Sequence, residues 1–328
     1  MCKPMLVPLD GSPLDELALS HAAPLAQMAG TPLHLVRAVP ALSPTVLSGA
    51  EALSLALAQQ AASRADAQAA LARTATRLRQ QGLVVHTHVR FGRPADVILE
   101  TSREHGIGLL VLATRGRGGI ERAWEGSVAD EVVRWAEVPV LLVRAGDART
   151  WPRRRPPRLL VALDGSAFAE AVLGPAAELA GVLGAELRLV RVVAPPRRLV
   201  YAPGPHTGAG LAEKDLAHAR AYLEGIAASF PATRRVTMRV ALGARPAASL
   251  ARIAREEQVD LVALATHGRG GLARLALGSV ATATLQRTPV PLLVVRPVEP
   301  RVSAGISGSA RAARRPNPAA TWHQHIPG

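Results

Sequence analysis

The residues best placed to do chemistry in this chain are glycines. Gly116, Gly118 and Gly119 lie in ATRGRGGIERAWEGSVA (113–129), and Gly268, Gly270 and Gly271 lie in ATHGRGGLARLALGSVA (265–281). Lacking a Cβ, they let backbone approach a ligand closely and turn through positive φ at low cost. In each segment nine residues separate the first glycine from a further one, Gly126 or Gly278, which stands directly before Ser127 or Ser279. A helix pattern starts there. Free N–H groups and the dipole at a helix N-terminus favour an anion, and the serine adds a hydroxyl. The chemistry indicated is phosphate binding. The plainer alternative is a tight turn with a capping serine, but the same spacing in both segments favours phosphate. Arg117, Arg122, Arg269 and Arg274 in the same loops either neutralise phosphate or face solvent. Neither loop has the Gly-Lys-Ser/Thr ending of a Walker A motif.

A second pair of candidates is Asp10 in LVPLDGS (6–12) and Asp164 in LVALDGS (160–166). A carboxylate at the end of a strand can accept from a ribose hydroxyl or hold a cation near phosphates. Asp-Gly-Ser is also turn-like by itself. The histidines suggest no such constellation: His86 and His88 alternate along one strand, His21, His105, His206 and His218 are scattered, and His323 and His325 sit in a polar tail. Two tail histidines are too few for a zinc site, and no serine–histidine–carboxylate set is placed by any motif. The expectation is therefore no catalytic residue and no metal ligand.

The elements that must position these residues come in two copies. LVPLDGS and LVALDGS are offset by 154 residues, as are LHLVRAV (33–39) and LRLVRVV (187–193), and eleven of the seventeen positions in the glycine segments are identical at an offset of 152. A repeat this long is a duplicated domain. In the first copy, apolar strand patterns at 5–9, 33–39, 84–89, 109–113 and 138–143 alternate with helix patterns at 14–29, 51–81, 94–104 and 127–135. In the second, strands at 158–163, 186–193, 234–241, 261–265 and 290–295 alternate with helices at 168–183, 211–228, 246–256 and 279–286, and 194–210 reads as loop. This alternation predicts an α/β fold, with parallel sheets, right-handed crossovers and helices on both faces. Ligands of such folds bind outside the carboxyl ends of the strands. The two apolar terminal strands, 138–143 and 290–295, would each be an exposed edge alone. The sequence predicts that they pair antiparallel as an internal pseudo-dimer.

Charge and composition narrow the function classes. The 328 residues carry a net charge of +14, with 48% hydrophobic and 3% aromatic residues, so the cores are aliphatic. Residues 144–158 hold a net +5 and residues 296–328 a net +4, nine of the fourteen charges. The folded parts are only mildly basic, which argues against nucleic-acid binding as the main function and reads these stretches as a solubilising linker and tail. The expected organisation is a first domain at 3–145, an Arg/Pro-rich linker at 146–156, a second domain at 157–297, and a disordered basic tail at 298–328. There is no run of 18 apolar residues, the N-terminal MLVPL is too short for a secretory signal, and Cys2 is the single cysteine. A cytoplasmic location fits.

With LVPLDGS and LVALDGS, the two glycine segments and the closing strands VPVLLV and VPLLVV in view, the chain resembles the universal stress protein (UspA) family in its tandem form, over roughly residues 3–145 and 157–297. The resemblance implies two open five-stranded parallel sheets of strand order 3-2-1-4-5, of the adenine nucleotide alpha hydrolase-like kind. It implies a phosphate loop written Gly, two residues, Gly, nine residues, Gly, then Ser or Thr. The later positions fall on Gly116, Gly126 and Ser127, and on Gly268, Gly278 and Ser279. The first glycine falls on Ala113 and Ala265, a departure in both copies. The aspartate near the nucleotide would be Asp10 or Asp164, and backbone at Ala38 or Val192 would receive the adenine. The family's proline two residues before the aspartate is kept as Pro8 but replaced by Ala162. The ligand implied is ATP, or else ADP or AMP, with or without Mg2+, in a regulatory or protective role under stress. The alternatives are a structural or interaction protein without nucleotide, and a slow ATPase. Pairing through the fifth strands is implied, internally or in a homodimer, with no membrane association.

Overall fold

A computed structural model describes residues 3–41, 50–114, 127–144, 151–152, 155–195, 207–266 and 278–297. The strands follow from the continuous apolar runs. In the first half they are β1 (Met5–Pro8), β2 (Leu33–Val39), β3 (Val85–Phe91), β4 (Leu109–Thr114) and β5 (Val140–Arg144). In the second they are β6 (Arg158–Leu163), β7 (Glu186–Val193), β8 (Val236–Leu242), β9 (Leu261–Ala265) and β10 (Leu292–Val295). Runs such as MLVP and LLVV are buried along most of their length, as strands covered on both faces must be. Between them lie α1 (Leu14–Ala29), α2 (Ala50–Gln80), α3 (Pro94–Glu104), α4 (Ser127–Trp135), α5 (Ala167–Glu170), α6 (Leu173–Leu183), α7 (Thr207–Ala228), α8 (Pro246–Glu256) and α9 (Ser279–Arg287).

Each half has the expected 3-2-1-4-5 order, and the two sheets are continuous. The ten strands run β3-β2-β1-β4-β5-β10-β9-β6-β7-β8, parallel within each half. The junction is antiparallel, with Leu142 opposite Leu292, Leu141 opposite Leu293 and Val140 opposite Val294. This is the pairing expected of two apolar edges that would otherwise stay open. One core layer includes Met5, Leu35, Leu141, Leu159, Leu189 and Leu293 under α1, α2, α6 and α7. The opposite layer includes Leu6, Leu142, Leu160, Leu292 and residues of α3, α4, α8 and α9. Both layers cross the junction. Arginines close it reciprocally: Arg144, ending β5, donates to the Leu285 and Gln286 carbonyls in the last turn of α9 (3.2 and 3.0 Å), and Arg296, just after β10, donates to the Arg134 carbonyl in the last turn of α4. Cations at helix C-termini complement the dipole and satisfy orphan carbonyls.

Three segments differ from the sequence expectation. The helix expected at 168–183 is divided into α5 and α6, with i to i−3 bonds from Ala171 to Phe168 and from Val172 to Ala169. Pro175, the third residue of α6, has no N–H for the Ala171 carbonyl, and a first turn, where that N–H is not needed, is where a proline is accommodated. α7 starts at Thr207, four residues earlier than expected, despite Gly208 and Gly210. The helix packs through buried Ala219 and Leu223, and tertiary packing outweighs the local penalty of glycine. The basic stretch between the halves is more than a solubilising linker. Trp151 is buried, its indole N–H donating to the His21 carbonyl of α1 (3.2 Å) with the His21 ring edge-on. Arg155 grips Asp260 with two bonds of 2.7 and 2.9 Å, while Asp260 also accepts from the Arg158 N–H.

Leu293 is 1% exposed and faces fully buried Leu141 across the junction. Leu293→Ala is expected to cost about 2–5 kcal/mol, the range for truncating a buried leucine. Urea denaturation of the full chain measures this, and a stability unchanged from wild type would show that the junction is not part of the cooperative core.

Candidate functional site

In each half the topology opens a crevice at the carboxyl edge. β1 lies between β2 and β4, yet its pairing with β4 is confined to Met5–Leu109 and Leu6–Leu110, so the two strands part beyond it. β6 and β9 pair from Leu159–Leu261 to Val161–Ala263 and then separate in the same way. This is the switch point of a doubly wound sheet, where the crossovers leave to opposite faces. Asp10 follows β1, Ala38 lies one residue from the end of β2, and Ala113 lies one residue from the end of β4. Parallel pairing brings all three to one edge. Asp164, Val192 and Ala265 share the corresponding edge of the second half. Ala38 and Val192 are half-buried and packed on the second core layer.

The Asp-Gly-Ser turns are built differently in the two copies. Asp10 accepts from the Ser12 N–H at 2.8 Å, while Asp15 of α1 accepts from the Asp10 and Gly11 N–H groups at 3.0 and 2.8 Å. Burial raises the Asp10 carboxyl, but hydrogen bonds from Ser12 and the surrounding turn outweigh it and hold Asp10 below its ordinary value. Burial, with the Asp10 charge adding to it, raises Asp15 despite its backbone hydrogen bonds. In the second copy Ala169 stands where Asp15 does. There Asp164 accepts from the Ser166 N–H and hydroxyl at 2.9 and 2.6 Å, and the Ser166 hydroxyl caps α5 by accepting from the Ala169 N–H at 3.1 Å.

Two arginines not singled out by the sequence reading cover these turns. The Arg37 guanidinium lies against Gly11, its atoms 3.1–3.4 Å from where a Cβ would stand, and Arg191 lies closer still against Gly165, at 2.6–2.8 Å. Both come from the repeated Leu-Val-Arg of the second strand of each half, where an alternating outward arginine looks like an ordinary surface residue. Arg191 also stacks over Tyr222 of α7, 5.0 Å from the ring centroid, and the Tyr222 hydroxyl donates to Glu170 at 3.0 Å. Burial and the Glu170 carboxylate push the Tyr222 phenol up.

The ends of the second glycine segment meet. Thr266, buried just after β9, accepts through its hydroxyl from the Gly278 N–H at 3.1 Å, and Gly278 is the N-cap residue of α9, with exposed Ser279 as its first residue. In the first half buried Thr114 ends β4 next to Ala113, and Ser127 begins α4. Gly116, Gly126 and Gly268 lie outside the described residues. No helix among the described residues is long and apolar enough to cross a membrane.

Both halves thus have the doubly wound α/β architecture, with the switch-point crevice at the carboxyl edge of each sheet. The chain belongs to the universal stress protein family, whose sequence model matches residues 1–144 and again residues 157–296. It is similar to Universal stress protein Rv2005c of Mycobacterium tuberculosis, at 33% identity over 214 residues, covering 65% of this chain and 70% of that one. Universal stress protein Rv1996 of the same organism is 29% identical over 327 residues, covering 92% of this chain and 97% of the relative. The fold is similar to that of a universal stress protein from Archaeoglobus fulgidus (TM-score 0.64, 20% identity, 90% of this chain and 96% of that one). It is also similar to a universal stress protein structure from Pseudomonas aeruginosa (TM-score 0.62, 19% identity, 90% and 94%).

Gly165 has φ +93° and a guanidinium within 2.8 Å of the would-be Cβ. Gly165→Ala is expected to destabilise the chain by about 1–3 kcal/mol, the scale of a strained backbone position. Adding Arg191→Ala removes the contact but not the strained dihedral, so chemical denaturation should show only partial recovery. Wild-type stability in Gly165→Ala would contradict the account.

Proposed function

We propose that the chain is an adenine-nucleotide-binding universal stress protein with one pocket in each domain, the domains being 3–145 and 157–297. The observation that carries this reading is that strand pairing brings the strand-end aspartate, the end of the second strand and the start of the glycine segment to one edge at each switch point, and that in the second half the two ends of that segment meet. Adenine would meet backbone at Ala38 or Val192, and the ribose would meet Asp10 or Asp164. Phosphates would lie on backbone N–H groups of the loop and the following helix N-terminus, with Ser127 or Ser279 adding a hydroxyl. Gly116, Gly126, Gly268 and Gly278 would give the backbone its close approach, and alanine at 113 and 265 is the smallest side chain a strand end can carry there. The ligand is ATP, or its products ADP and AMP, with Mg2+ as companion of the triphosphate. The role is regulatory or protective in the cytoplasm: a bound state passed to the pairing surface or to a partner. Any hydrolysis would be slow.

A second reading, an interaction protein without nucleotide, is favoured in the first copy by Asp15. Its carboxylate already accepts from the Asp10 and Gly11 N–H groups, a negative charge beside the place where phosphates or ribose would enter. The two readings separate on calorimetric titration of the full chain with ATP. The nucleotide reading expects binding, with Gly126→Val and Gly278→Val each removing one site, because a side chain blocks backbone approach. Ser127→Ala or Ser279→Ala should cost about 1.5–3 kcal/mol for one hydrogen bond to a charged acceptor, or roughly ten- to a hundredfold in affinity. Wild-type ATP affinity in folded Gly126→Val/Gly278→Val protein, or no binding by wild type, would end the reading.

A further inference from the structure

At the opposite, amino edge of the first half, histidines from three elements come together. His34 is the second residue of β2 and buried, His88 lies in β3, and His105 is the residue after α3. His34 Nδ1 and His88 Nε2 are 2.9 Å apart. The His34 and His88 rings stack at 5.1 Å, His105 lies 5.1 Å from His34 and 4.4 Å from His88, and exposed His86 flanks the group 4.8 Å from His34. One ring nitrogen from each of His34, His88 and His105 lies within 4.8 Å of the others. No single stretch of sequence announces this set, because strand pairing and the end of α3 assemble it.

The duplication supplies an internal control. The register that puts His34 beside His86 and Val36 beside His88 puts Arg188 beside Thr237 and Val190 beside Arg239. His105 follows α3 as Glu257 follows α8. The second copy therefore holds Arg188, Arg239 and Glu257 where the first holds His34, His88 and His105. Those three are bound by charge: Glu257 pairs with Arg188 at 2.5 Å and with Arg239 at 2.7 Å. At the same place the first copy has three imidazoles with no opposite charge inside the triad. Burial first, then the neighbouring histidines, push His34 down to about 4, and burial with His105, Arg90 and His86 does the same to His88. The nearby Glu104 carboxylate is engaged by Arg90.

We propose that His34, His88 and His105 form a binding site for a divalent transition-metal ion of the zinc class. Imidazole nitrogens suit zinc, cobalt, nickel and copper. Tetrahedral zinc with Zn–N near 2.05 Å needs donors about 3.3 Å apart. The His34–His88 separation already approaches this, and rotation of partly exposed His105 closes the third side, with a water completing the set. Binding replaces the His34–His88 hydrogen bond by two coordinate bonds. The bridging proton moves through solvent to the distal nitrogen of its own ring, so both rings stay neutral. The ion would clip β2, β3 and the end of α3 together at the edge remote from the proposed nucleotide pockets, with Glu104 as a nearby negative charge.

The test is calorimetric titration of chelator-stripped full-length protein with Zn2+ alone, paired with Co2+ absorbance for tetrahedral geometry. A His34→Arg/His88→Arg/His105→Glu variant carries the triad of the second copy and so has a packing precedent, with circular dichroism checking its fold. His323→Asn/His325→Asn controls for the tail. The expected result is zinc uptake that loses one equivalent in the triad variant and keeps that equivalent in the tail variant. Single His34→Asn or His88→Asn changes should weaken binding by at least about the 10–100-fold that loss of an outer-shell partner costs. No zinc uptake by wild type, or a triad variant with wild-type stoichiometry and affinity, would overturn the site.

Discussion

The structure depends on one antiparallel seam. Within each half every strand pair is parallel, which requires crossover helices on both faces and leaves the last strand with one side open. β5 and β10 close each other's open side through Leu141, Leu142, Leu292 and Leu293, and both core layers run through that contact. Because the seam is antiparallel, the two halves point in opposite directions. Their carboxyl edges, and with them the two switch-point crevices, face opposite ends of one ten-stranded sheet. The seam unites the halves mechanically while keeping their crevices apart.

Duplication on such a seam lets the copies diverge where packing does not hold them. The buried first, second and last strands of each half are kept closely, as in LVPLDGS and LVALDGS, LHLVRAV and LRLVRVV, and VPVLLV and VPLLVV, in a core where a volume change is felt. The sheet's amino edge, by contrast, is satisfied by an Arg–Arg–Glu set in the second half and by histidines in the first. At the Asp-Gly-Ser turn, Asp15 ties the backbone in one copy, while in the other Ser166 caps a short helix. The copies share a frame and differ in the electrostatics of their edges.

Much of that frame was legible in the sequence. Strands buried on both faces leave continuous apolar runs, glycine segments mark where strand becomes helix, and the terminal strands VLLV and LLVV announce their need for a partner. The candidate site was legible as motif positions: Asp10, Ala38, Ala113, Asp164, Val192, Ala265 and Gly278 do reach their strand or helix ends. What stayed hidden depends on distant pairs. Arg37 and Arg191 look like outward surface residues until the turn folds beneath them. Trp151 and Arg155 look like linker until α1 and Asp260 receive them. The division between α5 and α6 falls inside an apolar pattern that runs on regardless, and a histidine set from three elements has no spacing to read.

The anchoring of the connecting segment bears on assembly. Trp151 is fixed to the first half and Arg155 to the second, so the segment between them is held at both ends. A short tether fixed in this way holds β5 and β10 at high effective concentration, so exchange with another chain must compete with a partner already in place. Pairing between chains through the fifth strands would have to open the seam. Among the described strands the outer ones are β3 and β8. β3 carries exposed His86 and Thr87 and the Arg90–Glu104 pair, and β8 carries Thr237 and Arg239, whose guanidinium is held by Glu256 and Glu257. Polar and charged side chains on outer strands discourage addition of another strand, and here they are interleaved with exposed Phe91 on β3 and exposed Met238 and Leu242 on β8. Among the described strands, the apolar edges that pair the two domains are thus already joined to each other.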